Sequence, residues 1–220
     1  MISAKNIYLS YDDNRYVIKK GNFHVKPKEF IFIGGNSGSG KSTLLKSFYG
    51  EIPLKHGNLR IDDQEVSGIN GQKLRSLRKD IGVIFQDYKL INEYTIEENI
   101  MIPLKINGYS NEVCKNQATK LLAHVKLGHR AGFRPNELSG GEQQRIAVAR
   151  ALAHNPKIII ADEPTGNLDD YSADVVWNLL KGANEQLGIT IVVVTHRVPK
   201  NLGIKFRQFS IEDGIIYEVS

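Results

Sequence analysis

Eight consecutive residues, Gly35-Asn36-Ser37-Gly38-Ser39-Gly40-Lys41-Ser42, have the types and spacing of a phosphate-binding loop, G-x-x-x-x-G-K-S. Glycines there let successive backbone N–H groups turn toward one anion, where side chains would block the phosphates or demand forbidden backbone angles. Lys41 is placed to reach the outer phosphates of a nucleotide. Ser42 is placed to ligate Mg²⁺, and Thr43 continues into a helix whose positive end stands behind the anion. Further along, Asp162 and Glu163 close the apolar run Ile158-Ile159-Ile160-Ala161. An exposed acidic turn does not explain two charges at the end of a buried strand. Beside a polyphosphate, Asp162 fits as a holder of Mg²⁺, usually through water, and Glu163 as the general base for an attacking water. His196 closes the run Ile191–Thr195 and suits a hydrogen bond to the outermost phosphate. Gln86 closes a third run, Ile81–Phe85, where it can touch Mg²⁺ or the water. A plain loop glutamine is its competing reading.

These groups converge only if the apolar runs are neighbouring strands of one sheet. Phe30–Ile33, Ile81–Phe85, Ile158–Ala161 and Ile191–Thr195 all read as buried parallel strands, apolar on both faces. A helix after the phosphate loop stops at Gly50, and Leu74–Lys79 suggests a short basic helix. The first thirty residues alternate only weakly and predict short antiparallel strands turning at Asp12-Asp13-Asn14. Asn58–Ile61 with Asp62-Asp63, and the tail with Glu212-Asp213-Gly214, predict hairpins. Between Asp87 and Asn155 the pattern is mainly helical, with one helix capped by Ser110 and ended by Gly128, and a loop over 130–137. A helix starting at Ser172 ends at Gly188.

Two features stay open on residue type alone. Tyr11 is either a base-stacking aromatic or a strand aromatic packed in the core, with Tyr16 a weaker competitor for the stacking role. The stretch Leu138-Ser139-Gly140-Gly141-Glu142-Gln143-Gln144-Arg145 offers a capped helix with small residues in its first turn. That is a second anion site or a close helix contact.

The chain has 220 residues, a net charge of +5 with scattered basic residues, and a single cysteine, Cys114. That length supports one sizeable core or two small domains. One cysteine excludes an internal disulfide, no apolar run reaches membrane-span length, and Met1–Asn6 lacks a signal-peptide core, all of which predict a cytoplasmic protein. The mild charge reads as a solvated basic surface.

The LSGGEQQR element at 138–145 is far more specific than the phosphate loop. With IIIADEPT at 158–165, Gly166-Asn167-Leu168-Asp169 and His196 in order, the chain resembles the ATP-binding cassette (ABC) ATPases from end to end. The resemblance implies an α/β fold: a P-loop NTPase, RecA-like core over 1–86 and 156–220 with an antiparallel β subdomain, and an inserted helical subdomain over 87–155. It implies ATP and Mg²⁺ as ligands, Tyr11 as the adenine-stacking aromatic and Gln86 as the Q-loop. It also implies a homodimer closed by ATP, in which Ser139, Gly140, Gly141 and Glu142 cap the nucleotide of the second subunit. Three positions depart from the family pattern: Lys28 before Glu29, Asp170 after Asp169, and Arg197 after His196.

Within the family, Val83–Leu90 (VIFQDYKL) and Thr95–Ile100 are most similar to the cell-division FtsE-type ATPases. Met101–Leu104 looks closer to the lipoprotein-releasing LolD-type and MacB-type efflux ATPases. The FtsE resemblance implies an FtsX-like membrane partner docked in a groove near residues 87–104, with Tyr88, Leu90 and Ile91 as candidate contacts. Ordinary subdomain core is the competing reading for each of them. It further implies a chain held at the inner face of the cell membrane and a relay to a cell-wall hydrolase. DNA-acting relatives carry coiled-coil or zinc insertions that this sequence lacks, so no direct nucleic-acid partner is expected.

Overall fold

The computed structural model describes residues 1–11, 15–199 and 201–219. The proposed turn at Asp12-Asp13-Asn14 lies outside them. The strands flanking it, β1 (Ile2–Ser10) and β2 (Tyr16–Val25), pair antiparallel as expected, but they are long rather than short. Their weak alternation has a physical cause. In β1 the buried positions pass from Ile2 and Ala4 to Ile7 and Leu9, and in β2 from Ile18 to Gly21, Phe23 and Val25. Each parity change coincides with a register shift and a left-handed residue, Asn6 (φ 50°) and Lys20 (φ 50°). A bulge inserts one residue and returns the apolar set to the same face.

After β3 (Phe30–Gly35) come α1 (Lys41–Phe48), β4 (His56–Ile61), β5 (Gln64–Glu65), α2 (Gly71–Lys79) and β6 (Ile81–Ile84). Helices α3 (Ile96–Ile106), α4 (Asn111–His124) and α5 (Gly140–Leu152) follow, then β7 (Ile158–Asp162), α6 (Asp170–Leu187), β8 (Thr190–Val194), β9 (Arg207–Glu212) and β10 (Ile215–Glu218). Among the described residues there are two sheets. An antiparallel one runs β2-β1-β4-β5, and a six-stranded one runs β10-β9-β3-β8-β7-β6, in which all but β10 are parallel.

The larger sheet separates two cores, which is why the inner strands β3, β7 and β8 carry unbroken apolar runs. Phe30, Phe32, Ile159, Ala161, Ile191 and Val193 face the helical layer built from α3 to α6. Ile31, Ile33, Ile158, Ile160, Val192 and Val194 face α1 and the antiparallel sheet. Both hairpins form, and the tail turns through Asp213 (φ 49°) and Gly214 (φ 82°), the two left-handed residues of a tight hairpin turn.

Several boundaries differ from expectation. α4 ends at His124, and Lys126 (φ 61°), not Gly128, supplies the left-handed exit. The stretch 130–137 is not plain loop but lies among two 3₁₀ turns, Gly128–Arg130 and Pro135–Glu137. α6 begins at Asp170, because Asp169 is its cap: Ser172 N–H donates to Asp169 Oδ1 at 2.9 Å. Asp170 therefore occupies the first helical position, which favours proline for its fixed φ and an acid for the helix dipole.

Candidate active site

β3, β6, β7 and β8 are parallel, so their carboxyl ends open on one side of the sheet, where open α/β folds bind ligands. A cleft of about 1150 Å³ lies there. It gathers Gly38 from the loop after β3, Lys41 and Ser42 from the first turn of α1, Gln86 from just beyond β6, Asp162 and Glu163 from the end of β7, and His196 from just beyond β8. Ser37, Gly40, Thr43 and Tyr11 also line it. Four stretches spread over more than 150 positions of sequence thus meet at one place.

The loop is built for backbone donors. Gly40 caps α1 in a left-handed conformation (φ 103°) with no side-chain cap bond, which leaves the first N–H groups of the helix for an anion. A Cβ on Gly40 would meet Val17 Cγ1 at 2.5 Å, and one on Gly35 (φ 139°) would meet Ile211 O at 2.6 Å. Lys41 Nζ spans the loop, donating to Gly35 O at 2.9 Å and Asn36 O at 2.8 Å. Burial lowers its pKa, against the pull of Glu163 and Asp162. Ser39 Oγ is buried without a hydrogen-bond partner.

Asp162 Oδ1 is also buried without a partner. Burial pushes its carboxyl above the ordinary range, with the Ser42 hydroxyl and the Lys41 ammonium drawing it partly back. A carboxylate with one orphaned buried oxygen, bonded to a serine hydroxyl, fits a small divalent cation. Mg²⁺ takes few protein ligands and fills its remaining positions with water and phosphate oxygens. No cluster of three or more His, Cys, Asp or Glu that could hold a metal occurs among the described residues.

Glu163 sits at φ 45°, a conformation that costs an ordinary residue about 1–3 kcal/mol. Bonds on several sides hold it there. Its N–H donates to Val194 O at 2.9 Å, and its own carbonyl accepts from Gly166 at 3.1 Å. Its carboxylate accepts the His196 backbone N–H at 3.3 Å, and His196 Nε2 stands 3.2 Å from Oε1. Tyr11 does not pack in the core: it is 65% exposed at the cleft, and its hydroxyl accepts from Thr43 Oγ1 at 3.1 Å.

Ser139, Gly140, Gly141 and Glu142 do not line this cleft. Ser139 and Glu142 form a reciprocal capping box, with Glu142 N to Ser139 Oγ at 3.3 Å and Ser139 N to Glu142 Oε2 at 2.9 Å. Glu142 is held below its usual value. Burial opposes this, but the Ser139 bonds and Arg130 outweigh it. Gly141 is a close helix contact, since a Cβ there would lie 2.5 Å from Ser172 Oγ on α6.

The three groove candidates separate. Leu90 packs against the helical core, and Tyr88 (φ 60°) turns its ring to Gly140, where a Cβ would meet its hydroxyl at 2.9 Å. Ile91 alone of the three is exposed. A groove of about 290 Å³ lies just before Gln86, lined by Tyr49, Arg78, Val83 and Phe85. Two further side chains went unassigned from sequence. Gln144 donates to Pro164 O at 2.7 Å, and Arg150 donates to Lys89 O and Tyr88 O, each at 2.6 Å. The signal for Gln144 is its spacing: with Gly141, Val148 and Ala151 it falls on the buried stripe of α5.

A sequence profile of the ABC transporter family matches residues 18–166. The chain is 39% identical to the cell division ATP-binding protein FtsE of Streptococcus pneumoniae, over 97% of this chain and 93% of that protein. It is 39% identical to the lipoprotein-releasing system ATP-binding protein LolD of Hydrogenovibrio crunogenus, over 97% and 94%. It is also 39% identical to the methionine import ATP-binding protein MetN of Clostridium acetobutylicum, over 99% and 68%. Among solved structures it resembles a dimeric post-hydrolysis state of an ATP-binding cassette bound to ADP and Pi. That likeness has a TM-score of 0.91 and 37% identity, and covers 100% of this chain and 98% of the other.

Proposed function

The chain belongs to the ABC transporter family as an ATP-binding ATPase subunit, and from that premise we propose that it is the nucleotide-hydrolysing half of an FtsEX-type complex. In this reading two copies close head to tail on two ATPs and pass the motion to an FtsX-like membrane partner that regulates cell-wall hydrolysis. The observation that carries the chemistry is the meeting of Lys41, Ser42, Gln86, Asp162, Glu163 and His196 in one cleft. The relation to FtsE, and the solved dimers of similar cassettes, support the assembly.

Each side chain has a task. Tyr11 stacks on adenine. Backbone N–H groups of residues 36–43 hold the phosphates, and Lys41 exchanges its two carbonyl acceptors for phosphate oxygens. Ser42 and Asp162, with Gln86, would hold Mg²⁺, which would supply neutralisation of phosphate charge. Glu163 accepts the proton of the attacking water while His196 orients its carboxylate and the outermost phosphate. Water oxygen bonds to phosphorus, the bond to ADP breaks, and phosphate leaves. Ser139, Gly140, Gly141 and Glu142, away from this cleft, serve the nucleotide of the second copy, so each site is completed by its twin. We divide the chain into a core over 1–86 and 156–220 and a helical subdomain over 87–155. The partner docks near 87–104, against the groove that ends at Phe85. No described helix is long and apolar enough to cross a membrane, so attachment at its inner face runs through the partner.

Glu163→Gln tests both halves. It should bind ATP, hydrolyse it ~10²–10⁴-fold more slowly, and accumulate as an ATP-bound dimer that retains its membrane partner on purification. Near-normal turnover would remove Glu163 as the base. Co-purification with a lipoprotein-releasing or efflux permease would move the chain to the LolD- or MacB-type alternative, of which the LolD relative is as similar in sequence as FtsE.

A further inference from the structure

Gln144 is a buried polar side chain for which the chemistry above has no use. It is 1% exposed, its Nε2 donates to Pro164 O at 2.7 Å, and its Oε1 is buried without a partner. An apolar residue of the same size would avoid the cost of that orphaned oxygen, so the one bond it makes calls for an explanation. The bond falls on the Pro164–Thr165 peptide, the second peptide after Glu163, whose left-handed backbone must be imposed from outside. On the amino side, Val194 O holds the Glu163 N–H. On the carboxyl side, the buried Pro164 carbonyl is held by Gln144. Proline also biases the residue before it toward extended conformations, which Glu163 does not adopt.

We propose that Gln144 is a positioning residue for the Glu163 carboxylate, tying the seat of α5 to the base of the chain's own nucleotide site. The same helix begins with the Ser139 capping box, five residues before Gln144, and Gly141 is pressed against Ser172 one turn earlier. Any shift of the α5 start therefore pulls on Pro164. The inference rests on the reading of Glu163 as general base. With the head-to-tail dimer it goes further: nucleotide bound by the twin at Ser139 reaches Glu163 through one side chain, so the two sites are coupled.

Gln144→Met keeps the length and volume and removes the donor. In the full-length chain it should lower kcat about 10- to 100-fold, the scale of a misplaced catalytic group, with affinity for a fluorescent ATP analogue within about twofold of wild type. In the Glu163→Gln background the same change should have no further effect on turnover, whereas a general loss of structure would lower it again. Gln144→Glu, which sets an acceptor against the Pro164 carbonyl, provides a second variant and should lose at least as much. Turnover by Gln144→Met within about twofold of wild type, or a loss seen in KM alone, overturns the proposal. Full activity of Glu163→Gln would instead overturn the base assignment beneath it.

Discussion

Gly141 separates two physical explanations of a glycine pair, and its substitution by alanine gives the sharpest test of the structure. An alanine Cβ would lie 2.5 Å from Ser172 Oγ and 2.8 Å from Ser172 Cβ, where real contacts begin at 3.0 Å. Relief needs a movement of at least 0.5 Å (3.0 less 2.5). Rotating Ser172 would free only its Oγ, at the loss of its 2.8 Å bond to Asp169 Oδ2, and would leave its Cβ in place, so α5 and α6 must part, at an overpacking cost of about 2–3 kcal/mol, the upper part of the usual range. Alanine returns about 1 kcal/mol of helix preference. The net loss is about 1–2 kcal/mol, or roughly 2–8 °C in thermal midpoint for a chain of this size. It should appear without nucleotide, by differential scanning calorimetry of the purified chain. Most of it should vanish in a Ser172→Gly background, with a coupling of about 1–2 kcal/mol. An unchanged midpoint for Gly141→Ala, or strict additivity with Ser172→Gly, would refute the packing argument and leave Gly141 to the anion alone.

Two further outcomes follow from buried charge. Asp162 has a raised carboxyl pKa in the folded chain, so its ionised form disfavours folding. That cost is absent below the ordinary carboxylate value of about 3.9 and fully present above the raised one. Asp162→Asn should therefore raise the nucleotide-free midpoint at pH 7, lose that advantage as pH falls toward 4, and lose Mg²⁺-dependent stabilisation by ATP. The Arg150 guanidinium, pushed down to about 10 by burial, holds the carbonyls of Tyr88 and Lys89, both left-handed at φ 60° and 49°. Arg150→Met should cost about 2–4 kcal/mol and speed hydrogen exchange at residues 88–91. Unchanged exchange there would remove Arg150 as the clamp.

The sequence by itself determined the parts whose chemistry is local. A glycine loop with Lys41-Ser42, strands with unbroken apolar runs, and carboxylates at a strand end are each dictated by nearest neighbours, and the sheet formed as read. Tertiary structure decided what depends on two distant surfaces. It placed Tyr11 at the cleft rather than in the core, packed the half-buried Leu90 against the helical core, and moved the start of α6 to the Asp169 cap. It explained the faint alternation of β1 and β2 by paired bulges, which a period-two reading cannot follow. It also gave Gln144 its partner, because a hydrogen bond across 20 residues of sequence exists only once α5 lies against the turn after β7.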